Sequence, residues 1–271
     1  MKRIHLFELE DFSWFPDWLR GCMTRLILVM HKALGTSEQV AELVARVLKE
    51  SGSSSVIDLC SGSGGPMLDV LHVLNKQPGF EGLKLTLTDL YPNMDAARRI
   101  NSQEGSNVSY WTNPMDATRI GGETPGLRTM IGSFHHMRPA EARKILESAE
   151  KSGQPICIFE ISDNGPPIFL WWLALPVSFV ICLFITPLVR PLTLRQLVFT
   201  YLVPIIPLCF AWDGAASNAR TYTLGDMDEL LEGLGREGYR WEKGATGGKF
   251  NKLYLLGIPA RGAAAGDHAA A

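Results

Sequence analysis

Between Val56 and Gly65 the chain reads Val-Ile-Asp-Leu-Cys-Ser-Gly-Ser-Gly-Gly, a short β-branched run entering a turn rich in glycine and serine. Glycines in such a turn let the backbone approach a ligand closely and leave N–H groups to point at it. An anionic ligand group would also gain from the dipole of the helix that follows. Asp58, Cys60, Gly62, Ser63 and Gly64 are therefore candidate ligand-binding residues. Alone, Gly62 and Gly64 read equally well as ordinary turn glycines. Asp89 adds weight, because it ends the next expected strand, 25 residues after Gly64 (89 − 64), with Leu90 behind it. A carboxylate there can accept hydrogen bonds from both ribose hydroxyls of an adenosine cofactor. The plain alternatives are that Asp58 caps the turn and Asp89 caps the helix after Pro92. His135 and His136 close the expected fourth strand, and imidazole titrates near neutrality, so one of them is a candidate base. If the strand persists, their side chains point to opposite faces and only one meets a substrate.

The elements that must hold these residues follow a strand–helix alternation. A helix after Ser37 repeats Val40, Leu43, Val44, Val47 and Leu48 at helical spacing and ends at Gly52. Strands are expected at Val56–Leu59, Leu83–Leu90, Val108–Trp111, Leu127–Phe134 and Ile156–Ile161. Helices are expected at Met67–Asn75, Asn93–Asn101 and Pro139–Glu150. After an apolar block, Leu224–Leu234 reads as a helix, and Tyr239–Lys243 and Leu253–Ile258 as closing strands. This order predicts a parallel sheet covered by helices on both faces, an α/β fold. A nicotinamide dehydrogenase is the competing reading. It requires G-x-G-x-x-G, and from Gly62 the chain reads G-S-G-G-P-M, with Met67 at the third glycine position.

In these features the chain resembles the class I S-adenosylmethionine-dependent methyltransferases. The resemblance covers Ser54 to Ser162 and Thr221 to Pro259, and is carried by the turn from Asp58 to Gly64, by Asp89, by the pair Asp116-Ala117 and by Gly132 to His136. It implies a Rossmann-like, seven-stranded, mostly parallel sheet whose last strand is antiparallel. It implies S-adenosylmethionine as cofactor, with Asp116 near the adenine amino group and Ala117 and Ser133 in the same pocket. It also implies an acceptor pocket lined by the stretch before the last large helix, here Trp212, Asp213, Asn218, Arg220 and Tyr222. The plain reading of that stretch is a loop whose Trp212 closes the core. One departure stands out: the family's turn begins with glycine after the Asp-x pair, where this chain has Cys60.

The apolar block departs from the alternation. From Pro166 to Val189 there is no charged residue, Arg190 and Arg195 follow, and Leu197 to Trp212 is again uncharged. As one helix, Ile168–Val189 would span about 33 Å, close to the ~30 Å hydrocarbon thickness. Pro176 and Pro187 interrupt it, and Pro204 and Pro207 interrupt the second run. Two full spans would carry both arginines to the far side, against the positive-inside tendency. A re-entrant or in-plane helical hairpin at the cytoplasmic face of a membrane fits better, with a soluble lid or a homodimer interface as the alternatives.

Composition narrows the remaining classes. In 271 residues, 26 basic against 28 acidic side chains give a formal charge of -2, which supplies no electrostatic case for nucleic acid. The five cysteines form no CxxC pair, which fits reduced thiols and neither a metal site nor a disulfide framework. The expected organisation is an N-terminal helical segment (1–52), a cofactor-binding core (53–165), an apolar helical insertion (166–212), completion of the core (213–259) and a disordered tail (260–271). The functional expectation is methyl transfer to an apolar small molecule at a membrane surface, the acceptor being a quinone, a lipid or a phenolic, polyketide-like compound. The alternative is a catalytically silent, membrane-associated partner subunit with the same fold.

Overall fold

The structure is a computed structural model, and it describes residues 1–167, 169–247 and 252–260. Ile168, in the apolar block, and 261–271 of the expected tail lie outside the described residues. In chain order, α1 (Asp17–Ala33) and α2 (Thr36–Ser51) precede β1 (Ser55–Asp58), α3 (Met67–Leu74), β2 (Lys84–Leu87), α4 (Met94–Asn101) and β3 (Val108–Tyr110). Then come β4 (Leu127–Ile131), α5 (Pro139–Lys151), β5 (Ile156–Glu160), α6 (Phe169–Ile185), α7 (Leu194–Leu197) and α8 (Ile205–Arg220). The chain closes with α9 (Leu224–Leu231), β6 (Tyr239–Thr246) and β7 (Lys252–Pro259). It divides into two compact units, one of 37–160 with 224–271 and one of 1–36 with 161–223.

The first unit is the α/β fold. Its seven strands run in the order β3-β2-β1-β4-β5-β7-β6. β1 pairs in parallel with β2 and β4, and β2–β3 and β4–β5 are also parallel. β7 lies antiparallel between β5 and β6. This is the seven-stranded, mostly parallel sheet that the resemblance implies, with its last strand reversed. β4 and β5 are buried at all five positions each, as expected for strands covered on both faces. In α2 the buried residues Val40, Val44, Val47 and Leu48 recur at helical spacing, as the pattern predicts. The helix starts one residue before the expected Ser37 cap, because Gly35, at φ +60°, already separates it from α1. The order reverses between β1 and β4, so the carboxyl ends of these strands open a crevice where α/β proteins bind ligands.

The second unit is helical and combines the N-terminal segment with the apolar block. Its core joins Phe15, Leu19, Met23 and Leu26 from the N-terminal segment to Cys182, Ile206 and Phe210 from α6 and α8. Of the two interruptions expected between Ile168 and Val189, only the one at Pro187 occurs, and α6 runs through Pro176. α6 ends at Ile185, and Thr186–Leu188 is a single 3-10 turn. Pro187 has no N–H to donate to Leu183, and the Leu183 carbonyl instead accepts the Tyr201 hydroxyl at 2.6 Å. Among the described residues no single helix is long and apolar enough to cross a membrane.

Candidate functional site

The glycine turn follows β1 as the sequence predicts, and side-chain hydrogen bonds fasten it. Asp58 is buried, and its two oxygens accept hydrogen bonds from Ser61 Oγ (2.6 Å) and Thr129 Oγ1 (2.7 Å). Thr129 reaches it because Asp58 and Thr129 are register partners across β1 and β4. Burial pushes the Asp58 carboxyl up to about 7, against the lowering effect of those two hydroxyls and with a further rise from Asp89. Asp58 thus braces the turn from within the sheet. On the other side, the Tyr110 hydroxyl donates to the Gly62 carbonyl at 2.7 Å, and Asn93 Nδ2 donates to Ser63 Oγ at 3.0 Å.

Cys60 stands where the resemblance expects glycine. It is the one non-glycine residue with positive φ among the described residues, at +60°. That left-handed conformation favours glycine and strains any residue with a Cβ. Burial, followed by the charges of Asp89, Asp58 and Asp116, pushes the Cys60 thiol well above its usual range. Gly62, at φ +54°, has open space where a Cβ would lie, so a ligand can approach its backbone.

Asp89 lies two residues beyond the end of β2 and not at its last position, because β2 stops at Leu87. The Gly62 N–H donates to Asp89 Oδ2 and the Tyr91 N–H to Asp89 Oδ1, both at 2.8 Å. Each carboxylate oxygen keeps a second acceptor position. Leu90 beside it is exposed. Asp116 caps a short 3-10 turn, Ala117–Arg119, accepting the Thr118 N–H at 2.9 Å and the Thr118 hydroxyl at 2.7 Å. Burial raises its pKa, but the Thr118 bonds and the Arg119 charge outweigh that and hold it below the usual carboxylate range. Ala117 is buried. Ser133 is buried just after β4, and its hydroxyl has no hydrogen-bond partner among the described residues.

His135 and His136 are not at a strand end. β4 stops at Ile131, Gly132 turns the chain at φ +67°, and both histidines sit in the 3-10 turn Phe134–His136. Their rings therefore do not alternate across a sheet but lie together, with centroids 4.3 Å apart. His135 is buried, and its ring Nδ1 is 2.8 Å from Glu160 Oε2. Its backbone N–H donates to Glu160 Oε1 at 3.0 Å. Burial would raise the Glu160 carboxyl, but the attraction of His135, these two hydrogen bonds and the nearby His136 hold it below the usual carboxylate range. A carboxylate at Nδ1 keeps the proton there and leaves Nε2 as the basic nitrogen. The sequence reading missed Glu160, although an acid ending the run Ile-Cys-Ile-Phe-Glu on a fully buried strand was the available signal.

The residues expected to line an acceptor pocket lie in the helical unit, with the following partners. Trp212 Nε1 donates to the Phe7 carbonyl at 3.1 Å. Asp213 accepts the N–H groups of Leu9 (2.7 Å) and Glu10 (3.2 Å). Arg220 pairs with Asp11 at 2.6 Å and Glu8 at 3.1 Å, and the buried Tyr222 ring lies under the Arg3 guanidinium. Asn218 Oδ1 accepts the Asp163 N–H. Each thus ties the N-terminal segment, or the 161–165 stretch, to α8 or to the residues just after it.

No family model matches the chain, and no curated protein matches it. Solved structures do. The mitomycin 7-O-methyltransferase aligns at 17% identity over 84% of this chain and 54% of its own, with a TM-score of 0.47. An O-methyltransferase family protein from Burkholderia thailandensis aligns at 17% over 84% and 57%, with a TM-score of 0.46. The methyltransferase domain of a bacterial Hen1 protein aligns at 15% over 85% and 99%, with a TM-score of 0.47. The chain spans about half the length of the first two.

Proposed function

We propose that this chain transfers a methyl group from S-adenosylmethionine to an apolar small-molecule acceptor at a membrane surface. The observation that carries the cofactor part is the 2.8 Å contact between Asp89 and the Gly62 N–H. It sets an open glycine turn and an acceptor-rich carboxylate side by side at the point where the sheet order reverses.

The residues fit the cofactor. Asp89 has acceptor positions for two ribose hydroxyls, Gly62 offers open backbone, and Ser133 holds a buried hydroxyl in need of a partner. Asp116 stays ionised and suits an exocyclic amine. Asp58 and Cys60 serve the turn's shape, and Ser63, Gly64, Leu90 and Ala117 complete its wall. When bound, S-adenosylmethionine supplies an electrophilic methyl group on a sulfonium. The chain's own task is then alignment and, for a protonated acceptor, removal of a proton. Glu160 fixes the His135 ring, and His135 Nε2 takes that proton, with His136 packed against the same ring. Within the helical unit, the half-buried Trp212 is kept as a proposed acceptor contact, whereas Asp213 and Tyr222 are buried against the N-terminal segment.

The test is calorimetry with S-adenosylmethionine or S-adenosylhomocysteine. Wild type binds with micromolar affinity, and Asp89→Ala weakens binding roughly ten- to over a hundredfold, the loss of about 1.5–3 kcal/mol for a charge-assisted contact. Absence of binding by wild type, or equal binding by the variant, overturns the assignment. Binding without turnover on any apolar acceptor points to the silent partner subunit instead.

A further inference from the structure

The helical unit buries one side of its apolar elements and leaves the other bare. On α6, Cys182 faces the core, whereas Leu173 (63% exposed), Val177 and Phe184 (76% exposed) form an outward stripe. The 3-10 turn after α6 continues it with Leu188. A second bare face follows: Leu194 and Leu202 are each 76% exposed, and Leu208 is exposed on α8. These are large aliphatic and aromatic groups in runs, not scattered single residues, and contiguous exposure of that kind marks an interaction surface.

Charge selects the occupant. Between 165 and 212 there is no acidic residue, and the only charged side chains, Arg190 and Arg195, are both exposed in the connection between the two bare faces. An apolar surface with a cationic rim and no anion matches a bilayer bearing anionic headgroups. A second copy fits less well, because a two-fold pairing would bring two arginine rims together with no acid in the block to answer them.

Length selects the geometry. The 17 residues of α6 cover about 26 Å, short of the ~30 Å core of a bilayer. The second apolar run bends by 81° between Leu194–Leu202 and Ile205–Arg220. Beyond Trp212, α8 carries Asp213 and Arg220, both buried in the helical unit. We propose that α6, α7 and the start of α8 form an in-plane docking surface for a bilayer containing anionic lipid, entered from one side and not crossed. This rests on the membrane-surface part of the proposed function and specifies which face meets the lipid.

Flotation with phosphatidylcholine vesicles, with and without phosphatidylserine, tests it. Wild type floats with the vesicles and partitions more strongly when phosphatidylserine is present. Arg190→Ala and Arg195→Ala each reduce that preference by roughly fivefold. The pair Phe184→Glu with Leu202→Glu abolishes flotation, and because both side chains are exposed the melting curve stays that of wild type. Leu194→Glu alone gives a second, milder loss. Wild type that stays in the dense fraction with both vesicles overturns the proposal. So does a soluble wild-type dimer that the Phe184/Leu202 pair dissociates, which makes a second copy the occupant. Cofactor calorimetry on the same preparation separates the two readings. Cofactor binding without flotation removes only the docking surface, and flotation without cofactor binding removes only the transferase.

Discussion

Replacing Glu160 by glutamine preserves the shape of the side chain and removes its charge, and so isolates what the carboxylate does for His135. In the wild type both carboxylate oxygens accept: Oε1 from the His135 backbone N–H at 3.0 Å, and Oε2 from the ring Nδ1 at 2.8 Å. Glutamine offers one oxygen and one NH2. The oxygen goes to the backbone N–H, which cannot change its chemistry. The NH2 then faces Nδ1, and the ring meets it by giving up the Nδ1 proton and carrying it on Nε2. The two His135 groups that Glu160 holds stay bonded, so the stability cost at that contact is the difference between charge-assisted and neutral hydrogen bonds, about 1–2 kcal/mol. Catalysis fares worse, because the nitrogen that should take the acceptor's proton already holds one. The loss expected for a misplaced general base is about 10²- to 10⁴-fold in turnover, with cofactor affinity unchanged. Ring ¹⁵N chemical shifts report the tautomer directly, and a labelled-methyl assay reports turnover. The pH dependence adds a check. Because Glu160 is held below the usual carboxylate range, its stabilising contribution is present above the unfolded pKa and lost as pH falls through the folded one. Glu160→Gln lacks that acid loss. A variant with the wild-type tautomer and turnover within a few-fold of wild type would falsify the dyad.

Two further outcomes follow from the same geometry. Cys60→Gly relieves a left-handed backbone worth about 1–2 kcal/mol, partly offset by about 0.5–1 kcal/mol of added unfolded-state entropy. It should therefore melt at or above wild type, while Cys60→Val melts below both; a Cys60→Gly protein melting several degrees lower contradicts the strain. In the helical unit, burial pushes the Asp213 carboxyl up to about 7, with the Leu9 N–H opposing and Glu10 adding to the rise. A raised folded pKa means stability that is full below the unfolded value near 4 and lost as pH rises through 7, so Asp213 alone lowers stability by about 2–3 kcal/mol between pH 5 and pH 8. Asp58 acts in the same direction in the other unit. Urea melts at the two pH values should show the decline, and Asp213→Asn should flatten it; an equal slope in the variant excludes Asp213 as its source.

Local pattern was enough for much of this protein. The apolar runs at Val56, Leu85 and Ile156, the glycine turn after Asp58 and the spacing to Asp89 are all set by residues near one another in the chain, where periodicity and backbone sterics act. They placed the parallel strands, the turn and the acid at its mouth. The departure at Cys60 was also visible, though only the φ of +60° shows why glycine suits that position. What depended on distant neighbours was not legible. Asp58 read either as a ligand contact or as a cap of the turn, and only the fold brings Thr129, its partner on the adjacent strand, to hold it as a brace. His135 and His136 read as strand residues on opposite faces, but Gly132 turns the chain first, and Glu160, 25 residues on, claims the ring. The apolar block read as interrupted at both Pro176 and Pro187, but α6 runs through Pro176 and stops only ahead of Pro187, where the Leu183 carbonyl goes to Tyr201. In each case the deciding contact is a hydrogen bond between residues that only the folded chain brings together. A buried polar group must find such a partner, but nothing in its own stretch of sequence says which.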